Sequence, residues 1–176
     1  MFNIITDLSN FLLKHPTKRY AFRNTSSINN IVVHQTDGAD QGKFTAYNIA
    51  NDHVNHNDWA GIGYHYLITD GGNIYQTNPD DVVSYHASGW NTTSIGVAIT
   101  GQHSLGDEID TKKYKALVYL LAKLCNKYNL NADQVVGHNE TGSPKSCPNL
   151  DLDQLRSDVK KKEFIYGWER VLSLSA

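Results

Sequence analysis

The chain lacks several things, and each absence excludes a class. It has two cysteines among 176 residues, too few for the disulfide framework of a small secreted scaffold. It has no cationic excess: 16 Lys plus Arg stand against 18 Asp plus Glu, a formal net charge of -2. A dedicated nucleic-acid binder carries basic residues to neutralise phosphates, so no nucleic-acid partner is expected. No apolar run approaches the roughly 20 residues of a membrane-spanning helix. The opening stretch, MFNIITDLSNFLLKH, interrupts its only apolar segment with Asp7 and has no cationic lead, so it does not read as a secretory signal. Internal repeats, low-complexity tracts and a Pro/Gly-rich linker are all missing. What is present is the length of one domain, 40% hydrophobic and 19% charged, enough for a single core and too apolar for disorder. Eight His and ten Tyr stand out. Many His beside few Cys point to a hydrolytic metal site.

The hydrophobic pattern gives an order of elements. Residues 1–30 are weakly patterned; Phe2, Ile5, Phe11 and Leu12 suggest a short helical face, and Thr17 to Asn30 reads as loop. Ile31-Val32-Val33-His34 reads as a buried strand with His34 at its carboxyl end. Residues 45–57 suggest a helix capped by Thr45, with Tyr47, Ala50 and Val54 on one face. Residues 64–69 read as a strand, Asp70-Gly71-Gly72 as its turn and residues 73–76 as the hairpin partner. Residues 94–100 form another buried strand. The clearest helix starts at Asp110 or Thr111 and runs to Tyr128, with Tyr114, Leu117, Leu121, Leu124 and Tyr128 at helical spacing. Residues 135–137 read as a brief strand into His138, and a last helix begins at Asp151 or Asp153. Alternating strands and helices predict a single α/β domain: a central mixed β-sheet flanked by α-helices. The expected organisation is an N-terminal extension over 1–27, the functional domain over 28–158 and a C-terminal helical tail over 159–176, with Phe164, Tyr166 and Trp168 as packing residues.

Chemistry is expected where strands end, because strand ends of α/β folds open into the ligand crevice. His34 and His138 both sit there. Cys147 follows His138 by nine residues in a loop of Gly, Ser, Pro and Lys, where a buried apolar role has little support. Two imidazoles and a thiolate make a three-ligand zinc set with the fourth position open, the arrangement of catalytic zinc. The HxxxH spacing of zinc proteases and the CxxC pair are absent. Cys125, on the long helix, reads as a small core residue, although the count of two also permits a Cys125–Cys147 disulfide that would consume the thiolate. Lys145 is either a solvated loop cation or a charge that stabilises an oxyanion. Tyr64, after Gly61-Ile62-Gly63, is either a half-buried strand residue or a phenol that hydrogen-bonds the attacking water.

The ordered segments Ile31-Val32-Val33-His34-Gln35-Thr36, Gly63-Tyr64-His65-Tyr66-Leu67-Ile68 with Asp70-Gly71, Tyr85-His86-Ala87 with Gly89 and Asn91, Ser94-Ile95-Gly96-Val97, Gly137-His138 and Pro144-Lys145-Ser146-Cys147-Pro148 resemble the type 2 N-acetylmuramoyl-L-alanine amidase family. That family includes amidase-type phage lysozymes and the peptidoglycan recognition proteins. The resemblance implies the family's fold and a zinc hydrolase that cuts the amide between N-acetylmuramic acid and L-alanine in peptidoglycan. It assigns Zn2+ to His34, His138 and Cys147, catalysis to Tyr64 and Lys145, and a substrate contact to His86. Glu140 matches no motif position and reads as a solvated loop residue. Some relatives lack the Cys ligand and only bind peptidoglycan, whereas this chain keeps it. The expected setting is a monomer made in the cytoplasm and acting on the cell wall or periplasm, as a phage endolysin or an injected effector does. The alternatives are a non-catalytic peptidoglycan-binding domain and a cytosolic amidase that recycles muropeptides.

Overall fold

A computed structural model describes residues 4–36 and 45–162. Its eight strands, in chain order, are β1 (Ile5–Asp7), β2 (Ala21–Phe22), β3 (Asn30–Gln35), β4 (Tyr66–Ile68), β5 (Ile74–Gln76), β6 (Val82–Val83), β7 (Ser94–Ile99) and β8 (Val135–Gly137). The helices are α1 (Ala46–Asn55), α2 (Thr111–Tyr128) and α3 (152–162). Six strands form the main sheet in the order β1-β5-β4-β7-β3-β8, while β2 and β6 pair separately. Only β4–β5 is antiparallel within the main sheet. The mixed sheet with its flanking helices is the architecture expected from the sequence. None of the described helices is long and apolar enough to cross a membrane.

The pleat sends alternate residues to opposite faces, and here the two faces do different work. Ile31 and Val33 of β3 and Ile95, Val97 and Ile99 of β7 face one way, into a core completed by Leu117, Leu120, Leu121 and Leu124 of α2 and by Leu155 and Val159 of α3. Every strand residue of β7 is buried, as a sheet covered on both sides requires. Its other face carries Ser94, Gly96 and Ala98. Ala98 joins Leu67, Ile62 and the α1 residues Ala46, Ile49 and Ala50 in a second, smaller cluster. The small residues of this face leave room for polar side chains on the sheet.

Helix ends follow their capping residues. Thr45 caps α1 by accepting from Asn48 N, and Asp110 caps α2 by accepting from Lys113 N. Asp151 accepts from Gln154 N at 2.9 Å at the start of α3. The buried face of α1 is Ala46, Ile49, Ala50, His53 and Val54. Tyr47, expected on that face, is 52% exposed; the helix begins one residue earlier in the apolar period than Tyr47 requires.

The N-terminal residues are built into the fold. The expected helical face is instead strand β1, in parallel register with β5, and Phe11 is exposed while Leu12 is buried. Three residues of strand satisfy backbone groups along the edge of β5, which a short isolated helix would leave unpaired. The stretch read as loop over 17–30 contains β2 and one helical turn. Phe2 and the tail residues Phe164, Tyr166 and Trp168 lie outside the described residues. Cys125 is fully buried, and neither cysteine is in a disulfide, so the permitted Cys125–Cys147 bridge is not formed.

Candidate metal centre

His34 is the penultimate residue of β3, His138 directly follows its neighbour β8, and Cys147 comes back on the loop before α3. One donor atom from each lies within 4.8 Å of the others, and no other such trio occurs among the described residues. His34 is 2% and Cys147 4% exposed. Burial, then the neighbouring His138, Lys145 and His65, push the His34 imidazole well below its ordinary pKa. It is therefore neutral, which is the form a metal takes. The backbone N–H of Gln35 donates to Cys147 Sγ at 3.2 Å, a contact that favours a thiolate. The donor types, their closeness and their burial all fit a zinc ion.

The surrounding residues hold these donors in place. His86 Nδ1 lies 3.2 Å from His34 Nε2, and Ser94 Oγ lies 3.4 Å from His86 Nε2. With Nε2 engaged, Nδ1 is the His34 nitrogen left for a ligand. The His86 main chain is fixed by Asn91, whose Oδ1 accepts from His86 N at 3.0 Å and from Ala87 N at 2.8 Å. Gly96 supplies the space: a Cβ there would fall 2.5 Å from His86 Cγ. His86 is buried, with 7% of its surface exposed. Glu140, read from the sequence as solvated, accepts from Gly137 N at 2.9 Å and is paired with Arg156. Arg156 Nε also donates to Val135 O, so this pair clamps the two ends of β8 beside His138.

His34, His138 and Cys147 line a cavity of about 80 Å³ together with Gln35, Trp59, Tyr64, Tyr85, His86 and Lys145. A larger hollow of about 600 Å³ lies between Gly71-Gly72 and helices α2 and α3, away from the donor trio. The Tyr64 ring stands 5.4 Å from that of His34. Lys145 is exposed at the rim. All six residues expected to carry the site thus line one cavity. The sequence did not single out Trp59, Tyr85 and Ser94 by role, whereas Gln35 was expected to shape the cleft. Asn91 accepts from N–H groups four and five residues before it, a pairing that the usual Asn turn, which reaches backbone two residues ahead, does not signal.

The comparisons agree with this architecture. A profile of the N-acetylmuramoyl-L-alanine amidase family matches residues 24–150. Peptidoglycan-recognition protein SC2 of Drosophila melanogaster is 29% identical over 106 residues, 60% of this chain and 56% of that protein. An endolysin of Escherichia phage T7 is 32% identical over 98 residues, 53% of this chain and 63% of that protein. The chain therefore spans a little over half the length of the curated relatives it matches. Among solved structures, the Ph2119 endolysin from a Thermus scotoductus MAT2119 bacteriophage superposes with a TM-score of 0.72 at 27% identity, covering 89% of this chain and 99% of that one. The fold and donor trio define an α/β protein with a His-His-Cys cluster that could hold a metal ion. The chain belongs to the N-acetylmuramoyl-L-alanine amidase family.

Proposed function

We propose that the chain is a zinc amidase that hydrolyses the amide between N-acetylmuramic acid and L-alanine in peptidoglycan, and that it acts on the cell wall in the manner of an endolysin. The observation that carries this reading is the His34–His138–Cys147 trio sharing one cavity with Tyr64 and Lys145. His34, through Nδ1, His138 and Cys147 would hold the ion. Zinc in such a set supplies a water activated near neutral pH and a Lewis acid for the scissile carbonyl. A thiolate donates more charge to the ion than an imidazole does, so the supporting groups carry more of the work. Tyr64 orients the attacking water or the oxyanion from the cavity wall. The Lys145 ammonium, at the rim, offsets the negative charge that develops on the carbonyl oxygen. His86 steadies His34 from behind, a role its burial favours over direct substrate contact. Trp59 and Tyr85 give the cavity an aromatic margin against which a substrate can pack.

The test is mass spectrometry of purified wall material digested by zinc-loaded protein. New free amino termini on L-alanine, with intact N-acetylmuramic acid, are expected. Binding to the wall without release would favour the recognition-protein reading, which the Drosophila relative keeps in view. Cleavage of soluble fragments with intact sacculi untouched would favour a muropeptide-recycling enzyme.

A further inference from the structure

The loop over 58–64 carries Trp59 and Tyr64 into the cavity, yet it lies between α1 and β4 and has little ladder of its own. The carbonyls of Gly61, Ile62 and Tyr64 are taken by side chains. Asn78 Nδ2 donates to Ile62 O at 2.7 Å and to Tyr64 O at 2.8 Å, and Thr77 Oγ1 donates to Tyr64 O at 2.8 Å. The Tyr20 hydroxyl donates to Gly61 O at 2.7 Å, with Ile62 O at 3.0 Å. Buried carbonyls need partners, so the path of this loop depends on those side chains.

Tyr20 belongs to a short N-terminal stretch, 14–20, that precedes the family-matched residues 24–150 and supplies three further contacts. Lys14 Nζ donates to Asn78 Oδ1 at 3.0 Å, which orients the amide that holds Ile62 and Tyr64. His15 N donates to Ala60 O at 3.0 Å, and Lys18 is paired with Asp58. Gly61 admits this stretch closely: a Cβ there would lie 3.1 Å from Lys14 Cδ and 3.4 Å from Tyr20 Cε2. Tyr20 also reaches the opposite wall. Its ring meets Tyr85 edge-on at 4.7 Å, and Tyr85 meets Trp59 edge-on at 6.1 Å. One side chain therefore touches the loop that carries Tyr64 and the segment that carries Tyr85.

We infer that Tyr20 is a positioning residue for the cleft: its hydroxyl sets the Gly61–Tyr64 path that places the Tyr64 phenol, and its ring sets the Tyr85 wall. The inference rests on the amidase reading only for its kinetic arm. The two contacts separate by substitution. Tyr20→Phe keeps the ring and loses the hydroxyl, so it should lower kcat about five- to tenfold, the scale of one hydrogen bond, with KM within twofold. Tyr20→Leu removes both and should raise KM as well. Zinc content should stay at one ion in each, because no ligand lies on the loop.

The independent reading is backbone amide exchange of the peptide over 58–64, measured without substrate on metal-free and zinc-loaded protein. Tyr20→Phe should speed it selectively. Lys14→Met, which releases Asn78, should do the same and decides the matter where the Tyr20 variants fold poorly. Wild-type exchange in both variants, or exchange raised equally across the main sheet, overturns the inference. Wild-type protein that cuts no wall substrate would sink the amidase reading and leave the exchange data to judge Tyr20.

Discussion

Gly96 sits in the middle of β7, where any other residue would add packing to a buried strand, and the reason for glycine is His86. A methyl at position 96 would stand 2.5 Å from His86 Cγ and 2.9 Å from its Cβ and Cδ2. These are ring and stem atoms close to the backbone, not the end of a flexible chain, and the His86 main chain is pinned by Asn91. The ring must therefore swing away, and its contact with His34 Nε2 goes with it. Overpacking of a core costs about 1–3 kcal/mol, and a buried hydrogen bond adds about 1 kcal/mol. Gly96→Ala should lower stability by roughly 2–4 kcal/mol, which at 2–4 °C per kcal/mol for a chain of this size is about 5–15 °C in Tm. Loss of the partner behind a metal-ligating His typically weakens metal binding about 10–100-fold, so zinc affinity should drop on that scale.

The assay is calorimetry with zinc affinity measured by competing chelator, run as a double-mutant cycle with His86→Ala. In the His86→Ala background the ring contacts at 2.5 and 2.9 Å are gone and only the approach to the residue-86 Cβ remains, so Gly96→Ala should cost at least about 1 kcal/mol less than in wild type. A Gly96→Ala protein that melts within a degree of wild type, or a cycle with no coupling, would refute the argument that His86 dictates the glycine.

Cys147→Ser should lose zinc and activity, whereas Cys125→Ser, a change in the core, should keep both; metal analysis beside turnover reads the difference. Lys145→Ala and Tyr64→Phe should each lower turnover about 10²–10³-fold with zinc content unchanged, and near-full activity in Lys145→Ala would demote it to a solvated loop cation. Stability should fall on acidification between about pH 6.5 and pH 4. Burial lowers the pKa values of His53 and His65 to about 4, so across that window the unfolded chain binds protons that the folded chain refuses, and each group contributes a slope of up to about 1.4 kcal/mol per pH unit. Denaturant unfolding at pH 7, 6 and 5 checks this, and His65→Gln should flatten the slope.

Local pattern made much of the fold legible. The β-branched runs of β3 and β7, the turn at Asp70-Gly71-Gly72 and the capped period of α2 are short-range signals, and the structure follows them. The N-terminal residues were misread because β1 has three residues and owes its strand geometry to β5, some seventy positions on; no local period encodes such a partner. The site divides in the same way. His34 and His138 were found because each follows an apolar run, and Cys147 because its neighbours are polar. The residues that make the trio work were not visible in that manner. Gly96 reads as a weak point in a strand until His86 is seen against it. Glu140 is exposed, as its loop position suggests, but its pairing with Arg156 from α3 appears only in the fold. His65 shows the same dependence: its Nδ1 accepts from Gly96 N at 2.9 Å and its Nε2 stands 2.9 Å from Val82 O. Arg23 Nη2 also lies 3.0 Å from that Nε2. These contacts join β7 to β6 beneath His86, so the rigidity of the candidate centre rests on pairings between distant segments that spacing along the chain does not reveal.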